Sequence, residues 1–458
     1  MLGLRAFAGV AGLVLLTGCS VGVGSIDLGN TLGLGGSGKP QALVVGDEPF
    51  AVKVGAATLA QGGSAADAAT AMYFAMSVTY PVAAGLGGGG ICVVHDPVKN
   101  QSEEFDFLAR DAGGGGAYAV PGNVRGFALM QSAYGALPWQ KVVAPAEGYA
   151  RTGFPISRAL AARLADARDT IRLDAGLAQE FMDEAGALKA AGTVVTNVDL
   201  ADTLSALRAE GPDVFYSGSV AAKIAAYASA EGGAISTMEL AAYQASHGTP
   251  RVMQMGSDYV FLPAARTGAG AFAGALLENL QRARSTPTGA RDLQAAVMVA
   301  VKQTLESFQL SALPKDLGAT GFAATDAKGQ AVACAVTMNG PFGSGHTALG
   351  TGVTLARAPS SGSVGLASAF LTPMIASPSS DSAPVLTGAG AGGPNGSAAI
   401  AYTLARVADG QEIMTRSDLR STGVAPYDTV NAIVCSGNRC AALPDPMAHG
   451  LGANVPAQ

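Results

Sequence analysis

Residues 321–338 read GFAATDAKGQAVACAVTM, and this stretch decides the fold. Two apolar runs, 321–325 and 331–338, are separated by the polar sequence Asp326-Ala327-Lys328-Gly329. Small and β-branched residues on both sides of a Gly-containing turn are typical of a strand, a tight turn and a second strand. The sequence therefore predicts a β-hairpin in the last third of the chain.

The rest of the chain contains both helical and strand patterns. Helical patterns dominate the first two-thirds, and strand patterns occur near the beginning and towards the end. Helices are predicted within 50–80, where Ala65 to Met76 is free of breakers, and over 157–173 and 200–210, which begin near good cap residues. Strand-like runs occur at 91–94, 364–376, 383–388 and 431–442. Because the strands come from distant segments, the sequence favours a layered α/β sandwich.

Composition excludes several classes of function. Of 458 residues, 49% are hydrophobic and only 14% are charged, so the chain as a whole is not disordered. The net charge is −6 and no cluster of Lys or Arg stands out, which argues against nucleic-acid binding. The four His and five Cys show no metal-ligand spacing, so we expect no metal site.

The first nineteen residues, MLGLRAFAGVAGLVLLTGC, have the pattern of an export signal. Arg5 is followed by an apolar run, 6–16, that is too short to span a bilayer. The ending Leu16-Thr17-Gly18-Cys19 resembles a bacterial lipobox, in which Cys19 is lipidated. The alternative is an ordinary secretory signal with a chance cysteine, and both interpretations export the chain.

Residues 20–40 are rich in Gly and Ser and suit a flexible tether, so we expect the folded domain over 41–458. Ser20 after the lipidated residue favours the outer membrane in bacterial sorting. We therefore expect a protein that is lipid-anchored in the cell envelope, on the periplasmic side of the outer membrane, or secreted. No later segment reaches about 18 uninterrupted apolar residues, so a membrane contact would be through the lipid alone.

Export permits disulfides, and two pairs of cysteines are informative. Cys435 and Cys440 flank Ser-Gly-Asn-Arg, a turn-type sequence between apolar runs, so they are predicted to bridge the arms of a hairpin. Cys92 and Cys334 lie in apolar stretches and are predicted to be buried thiols.

Ordered motifs along residues 45–450 resemble those of the γ-glutamyltransferases, also called glutathione hydrolases. The segment 62–69, GGSAADAA, is similar to the family's GGNAVDAA, and 80–90 is similar to EPxxSGIGGGG. Further matches in family order are AVPGNVRG at 119–126, YGALPW at 134–139, GFPIS at 153–157, FGSG at 342–345 and GTG at 350–352.

The resemblance implies the αββα four-layer sandwich of N-terminal-nucleophile hydrolases. It also implies a precursor that cuts itself before a Thr, whose hydroxyl then attacks a γ-glutamyl amide. The freed amine of that Thr serves as base, backbone amides hold the oxyanion, and the acyl group passes to water or an amino acid. Residues 41–318 would be the large-subunit-like part and 319–458 the small-subunit-like part. The implied ligand is a small γ-glutamyl-like or other amide, without a cofactor.

The family's nucleophile segment, Thr-Thr-His-Tyr-Ser-x-x-Asp, aligns on Asp326 and places Ala319 at the nucleophile position. Alanine has no hydroxyl, so it can neither attack nor self-cleave. Thr320 falls on the second position and would serve only if the strand shifted by one residue, because such a slip reverses the side chain's face. Thr337 and Asn339 match the family's Thr-x-Asn, which orients the nucleophile and contacts substrate.

The residues matching the family's substrate clamp are changed. Its DFRE becomes Asp106-Phe107-Leu108-Ala109, so Leu108 replaces the arginine that binds the glutamyl carboxylate, and Arg110 is a candidate substitute. Segment 355–361 offers no carboxylate for the substrate's ammonium. Gly392 and Gly393 resemble the family's oxyanion glycines.

Three hypotheses follow. The first is an exported family member that no longer processes itself or transfers γ-glutamyl groups and has a binding or structural role. The second is an active amidase or γ-glutamyltransferase that self-cleaves and uses Thr320 with altered substrate choice. The third is a plain envelope scaffold with no role for the pocket.

Overall fold

A computed structural model of the protein describes residues 40–287, 291–311, 313–413, 415–419 and 427–456. The predicted export signal, the lipidation residue Cys19 and residues 20–39 of the tether lie outside the described residues. Within the described ranges, no helix combines the length and apolar character needed to cross a membrane.

Two antiparallel sheets form the centre of the fold. The strands are β1 (Ala42–Gly46), β2 (Gly89–Asp96), β3 (Gln101–Phe107), β4 (Arg110–Asp111), β5 (Ala119–Val120), β6 (Phe154–Pro155), β7 (Val194–Val195), β8 (Ser246–Gly248), β9 (Arg251–Met255), β10 (Asp258–Leu262), β11 (Ala319–Thr325), β12 (Ala331–Thr337), β13 (Thr347–Ala348), β14 (Val353–Thr354), β15 (Thr372–Ser377), β16 (Leu386–Ala391), β17 (Thr429–Ser436), β18 (Arg439–Leu443) and β19 (Leu451–Val455). The larger sheet has the order β19-β1-β11-β12-β2-β3-β8, and the smaller sheet has the order β18-β17-β16-β15-β10-β9. The remaining strands form three two-stranded sheets, β4-β5, β6-β7 and β13-β14.

Helices cover the outer faces of both sheets. They are α1 (Pro49–Ala60), α2 (Ala65–Thr79), α3 (Pro81–Ala84), α4 (Asn123–Tyr134), α5 (Trp139–Thr152), α6 (Arg158–Asp166), α7 (Arg168–Leu173), α8 (Ala175–Phe181), α9 (Val198–Glu210), α10 (Asp213–Tyr216), α11 (Ser219–Ala230), α12 (Thr237–Ala242), α13 (Gly268–Arg284), α14 (Leu293–Ser307) and α15 (Pro394–Ala408), with 3-10 turns at Gly362–Phe370 and Arg416–Leu419.

The predicted hairpin is the centre of the larger sheet. Ala319 lies opposite Thr337, and Thr325 lies opposite Ala331, so β11 and β12 pair along their whole length. The turn closes with a hydrogen bond from the Gly329 amide to the Asp326 carbonyl oxygen, and the φ of 90° at Gly329 favours glycine there. Both strands are fully buried because strands flank both edges, helices cover one face and the smaller sheet covers the other.

The layers follow from alternation along these strands. Phe322 and Val332 face outward into a core shared with α2 and α4, whereas Ala319 and Ala335 face Ala389 of the smaller sheet. The outer face of the smaller sheet packs on α13, α14 and α15. The predicted αββα four-layer sandwich is therefore confirmed. Residues before and after position 319 contribute strands to both sheets, so the two subunit-like parts share one architecture.

The cysteines give one agreement and one correction. Cys435 and Cys440 are disulfide-bonded across the β17–β18 hairpin, as predicted. The prediction of buried thiols at Cys92 and Cys334 is wrong, because these residues also form a disulfide. They lie directly opposite each other in β2 and β12. The two residues are 242 positions apart in the sequence, so local sequence patterns could not predict this pairing.

Two predicted elements differ in the structure. The first part of the strand-like run 364–376 is the 3-10 turn Gly362–Phe370, since Phe370 inserts into the core beside Phe272 instead of alternating along a strand. The predicted helix 157–173 is two helices, α6 and α7, because Ala167 adopts φ −92° and ψ 8° and ends the first of them.

Candidate functional site

The nucleophile position of the resembled family is apolar and sealed. Ala319 begins β11 and has no exposed surface. It belongs to an apolar cluster between the sheets, here called the inter-sheet cluster, formed by Ile91, Ala269, Ala319, Ala335, Leu371, Ala389 and Ala391, with Leu108 packed against it. None of these side chains has an ionisable or nucleophilic group, so the cluster provides packing and no covalent chemistry.

Arg110 is engaged away from this cluster. Its guanidinium donates to the Gln244 carbonyl oxygen at 3.2 Å and lies 4.9 Å from the centre of the Tyr243 ring. The Tyr243 hydroxyl donates to the Leu108 carbonyl oxygen at 2.9 Å. Arg110 is therefore held on the exposed β4 strand by neighbouring groups, and its use as a substitute carboxylate clamp stays a prediction.

Thr320 points to the opposite face from Ala319, and its hydroxyl is fully buried. Its Oγ1 donates to Asp47 Oδ2 at 2.7 Å. The Asn431 side-chain amide donates to Asp47 Oδ1 at 2.8 Å and to the Gly321 carbonyl oxygen at 2.9 Å. Burial raises the pKa of Asp47, and the hydrogen bonds from Asn431 and Thr320 lower it in part. The Thr320 hydroxyl is thus committed to a buried carboxyl group.

Thr337 and Asn339 bind backbone of the chain itself. Thr337 Oγ1 lies 3.0 Å from the Leu317 carbonyl oxygen and 3.1 Å from that of Gly318, and it accepts from the Asn339 amide at 2.9 Å. The Asn339 side-chain amide donates to the Arg357 carbonyl oxygen at 2.9 Å. The two matched residues therefore hold the segment that enters β11 and the loop beside it.

The segment Lys315–Gly318, here called the connector, enters β11 without a break. The amides of Met338 and Gly340 donate to the carbonyl oxygens of Gly318 and Leu317 at 2.9 and 3.0 Å. Gly318 has a φ of 59°, and a Cβ there would lie 1.9 Å from the Gly340 carbonyl oxygen. Glycine is therefore required at this position, one residue before Ala319.

A buried arginine anchors the connector. Arg163 on α6 is 4% exposed, and its Nη2 lies 2.5 Å from Asp316 Oδ1. Its Nη1 lies 3.4 Å from both the Ala319 carbonyl oxygen and the Tyr80 hydroxyl. Burial by itself would lower the pKa of Arg163. The Asp316 carboxylate and the Tyr80 oxygen raise this pKa by more, so the net change is an increase. Arg163 therefore stays charged inside the protein.

Two further contacts extend this anchor to the surface. The Arg163 guanidinium lies 5.0 Å from the centre of the Tyr427 ring, and the Tyr427 hydroxyl donates to Asp166. Lys315 Nζ lies 2.8 Å from Asp166 Oδ2. Sequence reasoning missed Arg163, although one signal was present. It follows Ala159 and Leu160 at helical spacing, so a charge occupies the buried stripe of α6.

The glycines that resemble an oxyanion site lie where β16 meets α15. Gly392 has a φ of 89°, and a Cβ there would lie 2.1 Å from the Tyr427 carbonyl oxygen. The Asn395 amide donates to Asp428 Oδ2 at 2.9 Å, and a Cβ on Gly393 would lie 2.4 Å from Asp428 Oδ1. The chain's own carboxylate thus lies at the amino end of α15, where a helix favours an anion. No sequence signal pointed to Asp428.

A metal site needs several ligating side chains close together. The residues that the structure describes contain no group of three or more His, Cys, Asp or Glu side chains arranged to hold an ion. The surroundings of position 319 combine small apolar side chains, hydrogen bonds between groups of the chain itself, and a buried ion pair.

Comparison with known proteins gives related sequences and one fold. Residues 51–312 match the family described as Gamma-glutamyltranspeptidase, a range that ends before position 319. The chain is 34% identical over 231 residues to the glutathione hydrolase proenzyme of Escherichia coli (strain K12), covering 46% of this chain and 40% of that protein. It is 32% identical over 230 residues to the acylase ACY 1 proenzyme of Pseudomonas sp. (strain SE83), covering 44% and 41%. The chain therefore spans about two-fifths of the length of these relatives.

The fold extends over more of the chain than the sequence similarity. The structure superimposes on the crystal structure of cephalosporin acylase from Bacillus halodurans with a TM-score of 0.72. The match covers 91% of this chain and 96% of that chain at 17% sequence identity. This likeness shows a shared fold that includes the part of the chain beyond residue 312.

Proposed function

Because the chain belongs to the gamma-glutamyltranspeptidase family, we propose that it is a member that neither cuts itself nor transfers γ-glutamyl groups, and that it acts as an intact binding or structural protein. The observation that carries this proposal is the burial of Ala319 in the inter-sheet cluster. A methyl group there has no lone pair with which to attack an amide carbonyl.

The surroundings of position 319 support the same conclusion. Leu108, at the position of the family's carboxylate clamp, packs against the same apolar cluster as Ala319. A substrate carboxylate or ammonium placed there would lose water without gaining a charged partner, which is costly. The Asp428 carboxylate beside Gly393 opposes a second negative charge at the amino end of α15.

The connector supports an uncut chain. Thr337 and the amides of Met338 and Gly340 bind the carbonyl oxygens of Leu317 and Gly318. These contacts hold the residues just before position 319 against the end of β12 and the loop that follows it.

A second function is favoured by one observation. The Thr320 hydroxyl lies 2.7 Å from a carboxylate oxygen of Asp47, and a hydroxyl beside a proton acceptor is a recurring nucleophile arrangement. Use of Thr320 would require a cut after Ala319, which frees the Thr320 amine, and exposure of a side chain that is fully buried. The first function needs neither change and is therefore preferred.

The deciding experiment is an intact mass of the purified chain from residue 20 under denaturing and reducing conditions. We expect one uncut chain and no release of glutamate from glutathione above that of a Thr320→Ala variant. Reduction is necessary because Cys92–Cys334 would hold two fragments together. Two fragments, the smaller beginning at Thr320, together with activity that Thr320→Ala abolishes, would establish the second function instead.

We also propose that the protein is exported and lipid-anchored through Cys19. The lipobox-like sequence 16–19 supports this, and two disulfides suit an oxidising compartment. In a bacterial host, the wild type is expected in the membrane fraction with incorporated palmitate. Cys19→Ala should remove the label, and a labelled Cys19→Ala protein would contradict the anchor.

A further inference from the structure

A polar pocket lies on the helical side of the larger sheet, between α8, the start of α9 and the β13–β14 hairpin. Its volume is about 190 Å³, which is enough for a small ligand of a few non-hydrogen atoms. A second space of about 20 Å³, roughly enough for one water, reaches the end of α2 and α3. Glu180, Asn197 and Thr347 line both spaces, and Gln179 and Asp199 lie at the exposed mouth. None of these residues belongs to the surroundings of position 319.

Glu180 presents an open acceptor to this pocket. Its side chain is 93% buried, since 7% of its surface is exposed. Oε2 accepts from the Asn197 side-chain amide at 2.9 Å, whereas Oε1 has no hydrogen bond within the described residues and is not sealed from solvent. Lys189 does not bond to this carboxyl group, because its Nζ donates to the main-chain oxygens of Gln179 and Glu180 at 3.1 and 2.8 Å.

Several other polar groups in and behind the inner wall are already used. Asn197 Oδ1 accepts from the Leu200 amide, and the Thr347 hydroxyl pairs with that of Thr354 at 3.1 Å. The Asp174 carboxylate accepts from the amides of Leu177 and Thr347, both at 2.8 Å. Glu180 Oε1 therefore remains as a largely buried acceptor that faces the pocket without a partner among the described residues.

The charges facing the pocket determine the class of ligand. Asp199 adds negative charge at the pocket mouth, and the charge of Lys189 acts on Glu180. An anionic ligand would be repelled, whereas a cationic donor at Oε1 would stabilise the carboxylate form that burial disfavours. We propose that this pocket binds a small primary ammonium compound, whose N–H groups donate to Glu180 Oε1 at the inner wall.

Binding should release a proton. Burial raises the pKa of Glu180 to about 8, and the Asn197 hydrogen bond and the Lys189 charge lower it only in part. Near pH 7 the Glu180 carboxyl group is thus mostly protonated when no ligand is bound. Because an ammonium group favours the carboxylate form, each binding event at pH 7 should release close to one proton.

The test is isothermal titration calorimetry of ethanolamine into the full chain at pH 7, in phosphate and in HEPES. Neither buffer is a primary amine, and the two have different ionisation enthalpies. We expect saturable binding whose enthalpy differs between the buffers by the heat of about one proton. Glu180→Gln keeps an acceptor for Asn197, and it should weaken binding about tenfold and remove the buffer dependence.

Matched measurements separate this effect from general charge. Glu184→Gln makes the same chemical change at an exposed position outside the pocket lining, and it should leave affinity and proton release unchanged. No saturable binding of ethanolamine, equal binding of the neutral analogue ethylene glycol, preferred binding of acetate, or unchanged binding by Glu180→Gln would each overturn the proposal.

Discussion

The ion pair between Arg163 and Asp316 allows a quantitative test of how the connector is held. Asp316→Asn keeps the size of the side chain but removes the negative charge that lies 2.5 Å from the guanidinium. Removing one partner of a buried pair typically costs about 3–5 kcal/mol, because the other charge remains desolvated. Asp316 is 10% exposed, and the Tyr80 and Tyr427 rings still face Arg163, so we expect the lower end, about 3 kcal/mol.

Urea unfolding measures this loss, with fluorescence of Trp139 as the probe. Trp139 is the single tryptophan of the chain, and its ring nitrogen donates to the Leu207 carbonyl oxygen inside the helical layer. A double-mutant cycle adds Arg163→Met and the combined variant. We expect the loss of unfolding free energy in the double variant to be smaller than the sum of the single losses by about 2 kcal/mol. The reason is that the double variant leaves no buried charge without its partner.

The matched control is Lys315→Gln, which breaks the exposed pair with Asp166 on the same connector. Exposed pairs contribute little, so the loss should stay below about 1 kcal/mol. Additive single losses, or an Asp316→Asn loss no larger than that of Lys315→Gln, would refute the inference that a buried charge pair anchors the connector.

Three other predictions concern single side chains. Glu180→Gln should stabilise the protein by about 4 kcal/mol at pH 8 and have little effect near pH 4.5. The folded pKa of Glu180, about 8, exceeds its ordinary 4.5, so the wild type loses stability as pH rises between these values. Gly318→Ala should cost at least about 3 kcal/mol in urea unfolding, since a Cβ would meet backbone at positive φ. Thr320→Val should cost about 2 kcal/mol, because Asp47 loses a buried donor.

Each of these has an outcome that would contradict it. A Glu180→Gln stability difference that does not vary with pH would show that the carboxyl group is not desolvated. Gly62→Ala is the control for the glycine, since its φ is also positive but nothing lies within 4 Å, and it should cost only about 1 kcal/mol. A Thr320→Val protein as stable as wild type would show that Asp47 does not depend on this hydroxyl.

Local sequence patterns predicted the structural features that depend on residues close together in the sequence. The hairpin at 321–338 and the Cys435–Cys440 bridge each depend on a turn between adjacent apolar runs, and both occur in the structure. The Cys92–Cys334 bridge depends on the pairing of β2 with β12. Pairing of that kind is determined by the packing of the whole sheet, so spacing along the chain could not indicate it.

The site shows the same division. Sequence comparison identified Ala319 and Leu108 as separate departures from the family pattern. The structure shows that they pack in one cluster, so the loss of polar groups at both positions leaves a continuous apolar contact. Arg163 and Asp316 are 153 residues apart, and only the burial of α6 against the connector makes them partners.

The Cys92–Cys334 bridge has a consequence for the unfolded chain. It closes a covalent ring across 242 residues of separation, and this ring contains position 319. In the chain-entropy description, a ring of that size restricts the denatured ensemble and favours folding by about 5 kcal/mol. A cut beside residue 319 would open the ring. The disulfide would then join two separate polypeptide fragments, which together have four chain ends. An uncut chain therefore retains a thermodynamic advantage that self-cleavage would forfeit.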